Sequence, residues 1–296
     1  MKIWRRVLGV ALAVWMLLGY GVSQFITRPR NCEIRAREEI AGTKVEPVTF
    51  TADDGVKLSA WLVRGKPDRA VVLAAGIDAD RGSLVGRAEF YLARGFSVLL
   101  PDLRGTGESE ATLVTIGWEE RKDILACLKF LKAQGYEHVG ADGISLGASA
   151  IAYSMEAKPD FAFVVLESCY DNLDNAWRNR LAMFNVPHVI TWPVRWITEA
   201  RLGRTAFQLA PAEYIKHCEV PALIVAGDSE PELKTSETDT IFRHCASKDK
   251  QLYLFQGGKH QDFLSRFEQE YHEVVGGFVD RIAASWEPAP VTVAVR

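Results

Sequence analysis

Six short apolar runs recur along the chain: Ala70 to Ala75, Phe96 to Leu100, His138 to Asp142, Phe161 to Leu166, Ala222 to Ala226 and Gln251 to Phe255. Several lack the polar alternation of a half-buried strand, as expected of parallel strands covered on both faces. Between them, Gly82 to Arg94, Trp118 to Gln134, Leu146 to Ala157, Lys234 to Cys245 and Phe263 to Ala283 carry helical patterns. Strands alternating with helices predict an α/β protein with a mostly parallel, doubly wound sheet and helices on both faces. Ahead of this series, Val48 to Phe50 and Leu58 to Val63 flank Asp53-Asp54-Gly55, and Asp-Gly between two strand-like runs predicts a hairpin. That hairpin forms the antiparallel edge of the sheet.

The chain begins Met1-Lys2-Ile3-Trp4-Arg5-Arg6 and carries no charge from Val7 to Ile26. A bilayer core needs about 20 helical residues, so this run predicts one transmembrane helix. Lys2, Arg5 and Arg6 favour a cytoplasmic N-terminus with the remaining chain on the far side, against which Arg28 and Arg30 pull. A signal peptide cut near Gly19-Tyr20-Gly21, leaving a secreted protein, is the alternative, but the run is long for that purpose. Four spans are expected: an anchor or signal segment at 1–27, a charged linker or short helix at 28–44, a catalytic domain at 45–286 and a flexible tail at 287–296.

Charge and cysteine spacing exclude other classes. The net charge is −3 and the basic residues are scattered, so no nucleic-acid partner is expected. Cys32, Cys127, Cys169, Cys218 and Cys245 form no C-x-x-C pair, and no metal site is expected. Cys127 and Cys245 fall in helix-like stretches and read as buried free thiols; one or two disulfides remain open if the domain lies outside the cytoplasm.

One stretch breaks the alternation. More than fifty residues separate the run ending at Leu166 from that starting at Ala222, and they hold Trp177, Phe184, Trp192, Trp196 and Phe207. Long insertions of this kind are usually binding loops or lids. A small helical cap at about 170–215, over the active site, is expected.

The chemistry centres on Gly143-Ile144-Ser145-Leu146-Gly147. It follows a strand-like run and opens a helix of small residues, the setting in which a strained corner lifts a serine clear of a sheet. Ser145 is the expected nucleophile. A base and an acid should follow in that order. His260, in Gly257-Gly258-Lys259-His260, stands on a glycine loop after the last strand-like run and is the expected base. His244 and His272 lie in amphipathic helices, His138 begins a strand, and His188 and His217 lie in or just after the insertion. For the acid, Gly227-Asp228-Ser229-Glu230 follows the Ala222 strand and offers two carboxylates; Glu167 and Asp171 are further candidates. The oxyanion hole needs two backbone N–H donors, assigned to Leu146 and to Ile77 in the loop after the Ala70 strand.

Pro101-Asp102-Leu103-Arg104-Gly105-Thr106-Gly107-Glu108-Ser109, Gly143 to Gly147, Val220 to Asp228 and Gly258-Lys259-His260 together resemble the α/β-hydrolase superfamily, in its serine aminopeptidase and monoacylglycerol lipase-like branch. The resemblance spans about Val45 to Ala284 and implies the α/β-hydrolase fold. It maps the acid onto Glu230, where aspartate is commoner, with Asp228 as the alternative. Ala75-Gly76-Ile77 departs from the His-Gly of relatives, and Asp142 is unusual at the end of a buried strand. The resemblance implies cleavage of an ester, amide or thioester through an acyl-enzyme, without metal or organic cofactor. The expectation is therefore a membrane-tethered, esterase- or lipase-like serine hydrolase acting on a small acyl substrate. Acyltransferase, thioesterase and peptidase are alternatives that use the same residues; a non-catalytic binding protein is disfavoured by their joint presence.

Overall fold

The computed structural model describes residues 2–287. Nine strands form one sheet: β1 (Glu39–Ile40), β2 (Thr43–Thr51), β3 (Lys57–Val63), β4 (Arg69–Ala74), β5 (Ser97–Pro101), β6 (His138–Ile144), β7 (Phe163–Glu167), β8 (Ala222–Gly227) and β9 (Lys250–Phe255). Their spatial order is β9-β8-β7-β6-β4-β5-β3-β2-β1. Strands β4 to β9 pair in parallel, and the hairpin β2–β3 joins them in antiparallel fashion through β5. The chain leaves β4 toward β5 but continues from β6 toward β7. The crevice beyond the carboxyl ends of β4 and β6 is thus a topological switch point, where open α/β sheets place their sites.

The uninterrupted apolar runs are explained by cover on both faces. Every residue of β4 is buried, with Val72 and Ala74 on one side and Val71 and Leu73 on the other. The first side packs against α3 (Arg121–Ala133) and α4 (Leu146–Ser154) through Ile124, Leu131 and Ile151. The second packs against α2 (Val85–Leu92) and a C-terminal helix through Tyr91, Phe278 and Val279. Each fully buried aliphatic chain contributes about 1.5–3 kcal/mol of transfer free energy. This is an α/β-hydrolase fold.

Two segments differ from expectation. The helix expected over Phe263 to Ala283 is broken into Phe263–Arg266, Glu268–Tyr271, a wide turn over His272–Gly276 and a last helix, Gly277–Ala284. The backbone leaves helical geometry at Phe267 (φ −128°, ψ 48°), and at Gly276 the Arg94 guanidinium takes the space a Cβ would fill. Residues 28–44 form neither a free linker nor a helix. Arg30 and Asn31 pair with Thr106 and Gly107, Asn31 Nδ2 donates to the Gly107 carbonyl at 3.1 Å, and β1 extends the sheet edge. All five cysteines are free; only Cys32 is exposed. The tail expected at 287–296 lies, beyond Glu287, outside the described residues.

Between β7 and β8 rise α5 (Leu173–Met183) and α6 (Trp192–Leu202), with α7 (Thr235–His244) following β8. Pro193 opens α6, where its missing N–H and fixed φ are tolerated. The N-terminal helix α1 (Lys2–Thr27) is long and apolar enough to cross a bilayer. It lies alongside α6, and its only buried residues are Gly19, Ser23 and Thr27, one face at four-residue spacing. A Cβ on Gly19 would come within 2.7 Å of the Pro193 Cβ, so glycine sets this close approach.

Candidate active site

The corner between β6 and α4 is tight enough to dictate its residues. Ser145 adopts φ 51° and ψ −106°, a strained conformation of the kind that costs about 1–3 kcal/mol and concentrates at functional sites. Its N–H donates to the Glu167 carbonyl at 2.8 Å, which holds the turn against β7. A Cβ on Gly143 would meet the Gly147 carbonyl carbon at 2.5 Å, and one on Gly147 would meet the Ala74 oxygen at 2.2 Å. Both glycines are therefore imposed by backbone contact, Gly143 across the turn and Gly147 against the end of β4.

Loops after β9 and β8 bring two more groups to Ser145. His260 Nε2 lies 3.1 Å from Ser145 Oγ, and its Nδ1 lies 2.6 Å from Glu230 Oε2. The Glu230 carboxylate is fully buried; Oε1 accepts from Gly227 N–H at 2.6 Å and from Ser168 Oγ at 2.8 Å. Asp228 stands apart, accepting from Ser229 Oγ and the Gly257 N–H, each at 2.8 Å. The other acid candidates are also engaged elsewhere: Glu167 with Arg87, and Asp171 with Asn172 and Asn175. Ser168, which sequence reasoning passed over, closes β7 and has φ 52°. Its only sequence signal was its place at the carboxyl end of a parallel strand.

Ile77 and Leu146 line the same cavity as Ser145. Leu146 is the first residue of α4, where backbone N–H groups lack intrahelical partners. A Cβ on Gly76 would lie 3.6 Å from Ser145 Cβ, which fixes how near the β4 loop comes to the hydroxyl. Beyond Ile77, Asp78 has φ 61° and is bound by Arg30. The Arg30 guanidinium also caps α1, donating to the Ile26 carbonyl at 3.1 Å. The cavity, about 280 Å³, is mostly apolar, with walls from Leu173 and Trp177 of α5, Leu202 of α6, and Phe25 and Ile26 of α1.

A buried ionic cluster lies beneath the site. Arg87 of α2 reaches Asp142 at 3.0 Å, Glu167 at 2.8 Å and Asp262 at 2.9 Å, and Tyr91 OH donates to Asp142 at 2.9 Å. The odd acid at the end of β6 is thus paired. Burial raises the Asp142 carboxyl and pushes Glu167 up to about 7, opposed in both by Arg87. Asp262, two residues beyond His260, ties the histidine loop to this cluster. The Pro101-to-Ser109 motif serves the backbone instead: Asp102 accepts from Arg81 at 2.6 Å and from the Glu108 N–H at 2.8 Å. Among the described residues, no cluster of His, Cys, Asp or Glu is arranged to hold a metal.

Fold and site together define a serine hydrolase of the α/β-hydrolase superfamily. Residues 84–283 match the prolyl oligopeptidase family (peptidase S9), and the chain belongs to that family. Among curated relatives it is similar to the uncharacterized protein YqkD of Bacillus subtilis, 24% identical over 73% of each chain. It is also similar to a carboxylesterase of the same bacterium, 22% identical over 73% of this chain and 94% of that one. Among solved structures, the Pyrococcus furiosus esterase Pf2001 superposes with a TM-score of 0.73 at 22% identity, over 86% of this chain and 98% of that one. The Exiguobacterium antarcticum esterase EaEST superposes with a TM-score of 0.58 at 14% identity, over 79% and 100%. At such identities the likeness to solved structures concerns the fold.

Proposed function

We propose that the protein is a membrane-tethered esterase that cleaves carboxylic esters with an apolar acyl part through an acyl-enzyme on Ser145. The observation that carries this reading is the unbroken hydrogen-bond chain Ser145–His260–Glu230 opening into an apolar cavity. His260 takes the Ser145 proton as Oγ attacks the carbonyl, while Glu230 holds the imidazole with Nδ1–H toward itself. The tetrahedral oxygen is received by the Ile77 and Leu146 N–H groups; losing one such donor typically costs about 2.7–4 kcal/mol. His260 returns the proton to the leaving alcohol, and water then releases the acid by the same steps in reverse. Esterase names among the relatives support this substrate class.

Retention of α1 as an anchor, with its N-terminus in the cytoplasm, completes the reading. Support comes from its packing: cleavage near Gly19-Tyr20-Gly21 would strip Trp15 and Gly19 from the cap. Family membership favours a second reading, a peptidase acting through the same three residues. Turnover by the purified full chain of p-nitrophenyl acyl esters and of a prolyl-peptide p-nitroanilide separates the two. We expect medium-chain esters to exceed acetate in kcat/KM, with the anilide at least ~100-fold poorer. Preference for the anilide would establish the peptidase.

A further inference from the structure

The contact between α1 and the cap has a geometric consequence for how substrate arrives. This inference rests on the anchor reading of α1 proposed above. If Val7 to Ile26 crosses the bilayer, Trp15 lies eleven residues inside its far end, about 16 Å at 1.5 Å per residue. Half of a hydrocarbon core is about 15 Å. Yet Trp15 Nε1 donates to the cap carbonyl of Ile190 at 2.8 Å, and its ring lies 6.4 Å from that of Trp192. Further along, Thr198 Oγ1 donates to Ser23 Oγ at 2.9 Å, and Arg201 donates to Thr27 Oγ1 at 2.9 Å. Helices α1 and α6 therefore run side by side over the second half of α1, and the cap shares its depth.

The cap surface is suited to that depth. Residues 181–194 contain no Asp, Glu, Lys or Arg. Phe184 (74% exposed), Val189, Ile190, Trp192 and Trp196 (53% exposed) leave their side chains bare. On α6, Trp192, Trp196 and Ala200 make one exposed stripe at four-residue spacing, adjoining the bare apolar surface of α1. Arg28 and Arg201 stand at the far end of α1, against Phe25 and Thr27, and the charges that α6 carries nearer its start, Arg195 and Glu199, are paired with each other. The cavity holding Ser145 is lined in part by Phe25 and Ile26, the last residues of the apolar run, which on the anchor reading lie at the boundary where membrane lipids carry their ester linkages.

We propose that the cap is immersed in the leaflet on the far side of the membrane, and that the cavity draws its substrate, an acyl-chain lipid ester, sideways from that leaflet. The bilayer is the occupant because the patch continues the surface of a helix that itself needs lipid.

The test uses the full chain in phosphatidylcholine–phosphatidylglycerol vesicles, with Cys32→Ser removing the exposed thiol. An environment-sensitive NBD fluorophore is attached at Val189→Cys, or at Asp160→Cys on an exposed part of the body. Immersion gives blue-shifted emission at 189, quenched by acyl-brominated lipid and shielded from iodide, with the opposite at 160. A carbonate-resistant protein whose 189 probe is iodide-accessible, or cross-links to a second copy, overturns the inference and leaves the anchor standing. Release of the full chain by carbonate overturns both. Independently, Phe184→Ser with Trp196→Ser should leave turnover of a soluble short-chain ester within about twofold, and lower turnover of a vesicle-embedded long-chain ester at least tenfold. Equal effects on the two substrates would contradict lateral entry.

Discussion

At the scale of single residues, Glu230 and Asp228 divide the work of one loop. Glu230 is buried and spends one oxygen on His260 and the other on Gly227 and Ser168; Asp228 braces the loop against Gly257 in solvent. A carboxylate held by two donors on one oxygen offers the other in a fixed direction, so the imidazole keeps one tautomer and one orientation. Glu230→Gln should therefore lower kcat by ~10²–10⁴-fold with little change in KM, whereas Asp228→Asn should stay within about threefold. Steady-state ester hydrolysis decides this, and a larger loss from Asp228→Asn would move the acid to that residue. Both candidates could be read from the sequence after β8. The choice between them depended on where a loop three residues long turns, which single-residue patterns do not encode. Ser168 and Arg30 were harder still, since their partners Glu230 and Asp78 lie 62 and 48 positions away.

At the scale of elements, the strands announced themselves because parallel strands buried on both faces leave uninterrupted apolar runs. The elbow did so because its glycines are forced by backbone contact. The C-terminal helix did not, since its break falls at Phe267, an apolar residue that fits the helical pattern on either side. The docking face of α1 was equally hidden: a helix apolar all round shows no preferred side, and the contact buries only Gly19, Ser23 and Thr27, with Trp15 reaching the cap from the same side. The ionic cluster joins α2, β6, β7 and the His260 loop through Arg87. Its titration has a definite sign. The Glu167 carboxyl is raised from 4.5 to about 7 in the folded chain, chiefly by burial. The folded state then holds the proton more tightly than the unfolded one, so this contribution to stability is full below about 4.5 and is lost as pH rises through 7. Glu167→Gln removes it. The denaturation midpoint of the wild type in urea should fall relative to that of Glu167→Gln between pH 5 and pH 8; parallel midpoints across that range would show that Glu167 does not titrate there.

At the scale of the whole molecule, sheet, cap and N-terminal helix converge on one cavity. The sheet supplies Ser145, His260 and Glu230 at its carboxyl ends, the cap supplies apolar walls, and α1 contributes Phe25 and Ile26. Arg30 links that helix to the loop carrying Ile77 through Asp78. The part of the chain matched by the family, residues 84–283, includes Ser145, Glu230, His260 and the cap, but neither α1 nor the Ile77 loop. Everything in this account depends on Ser145 being a nucleophile activated by His260. Reaction of the folded full chain with a fluorophosphonate, followed by mass-spectrometric mapping, measures that directly. The account predicts one stoichiometric adduct on Ser145, abolished by Ser145→Ala and slowed at least ~100-fold by His260→Ala. No adduct in folded protein, or an equal adduct on Ser145→Ala, would contradict it.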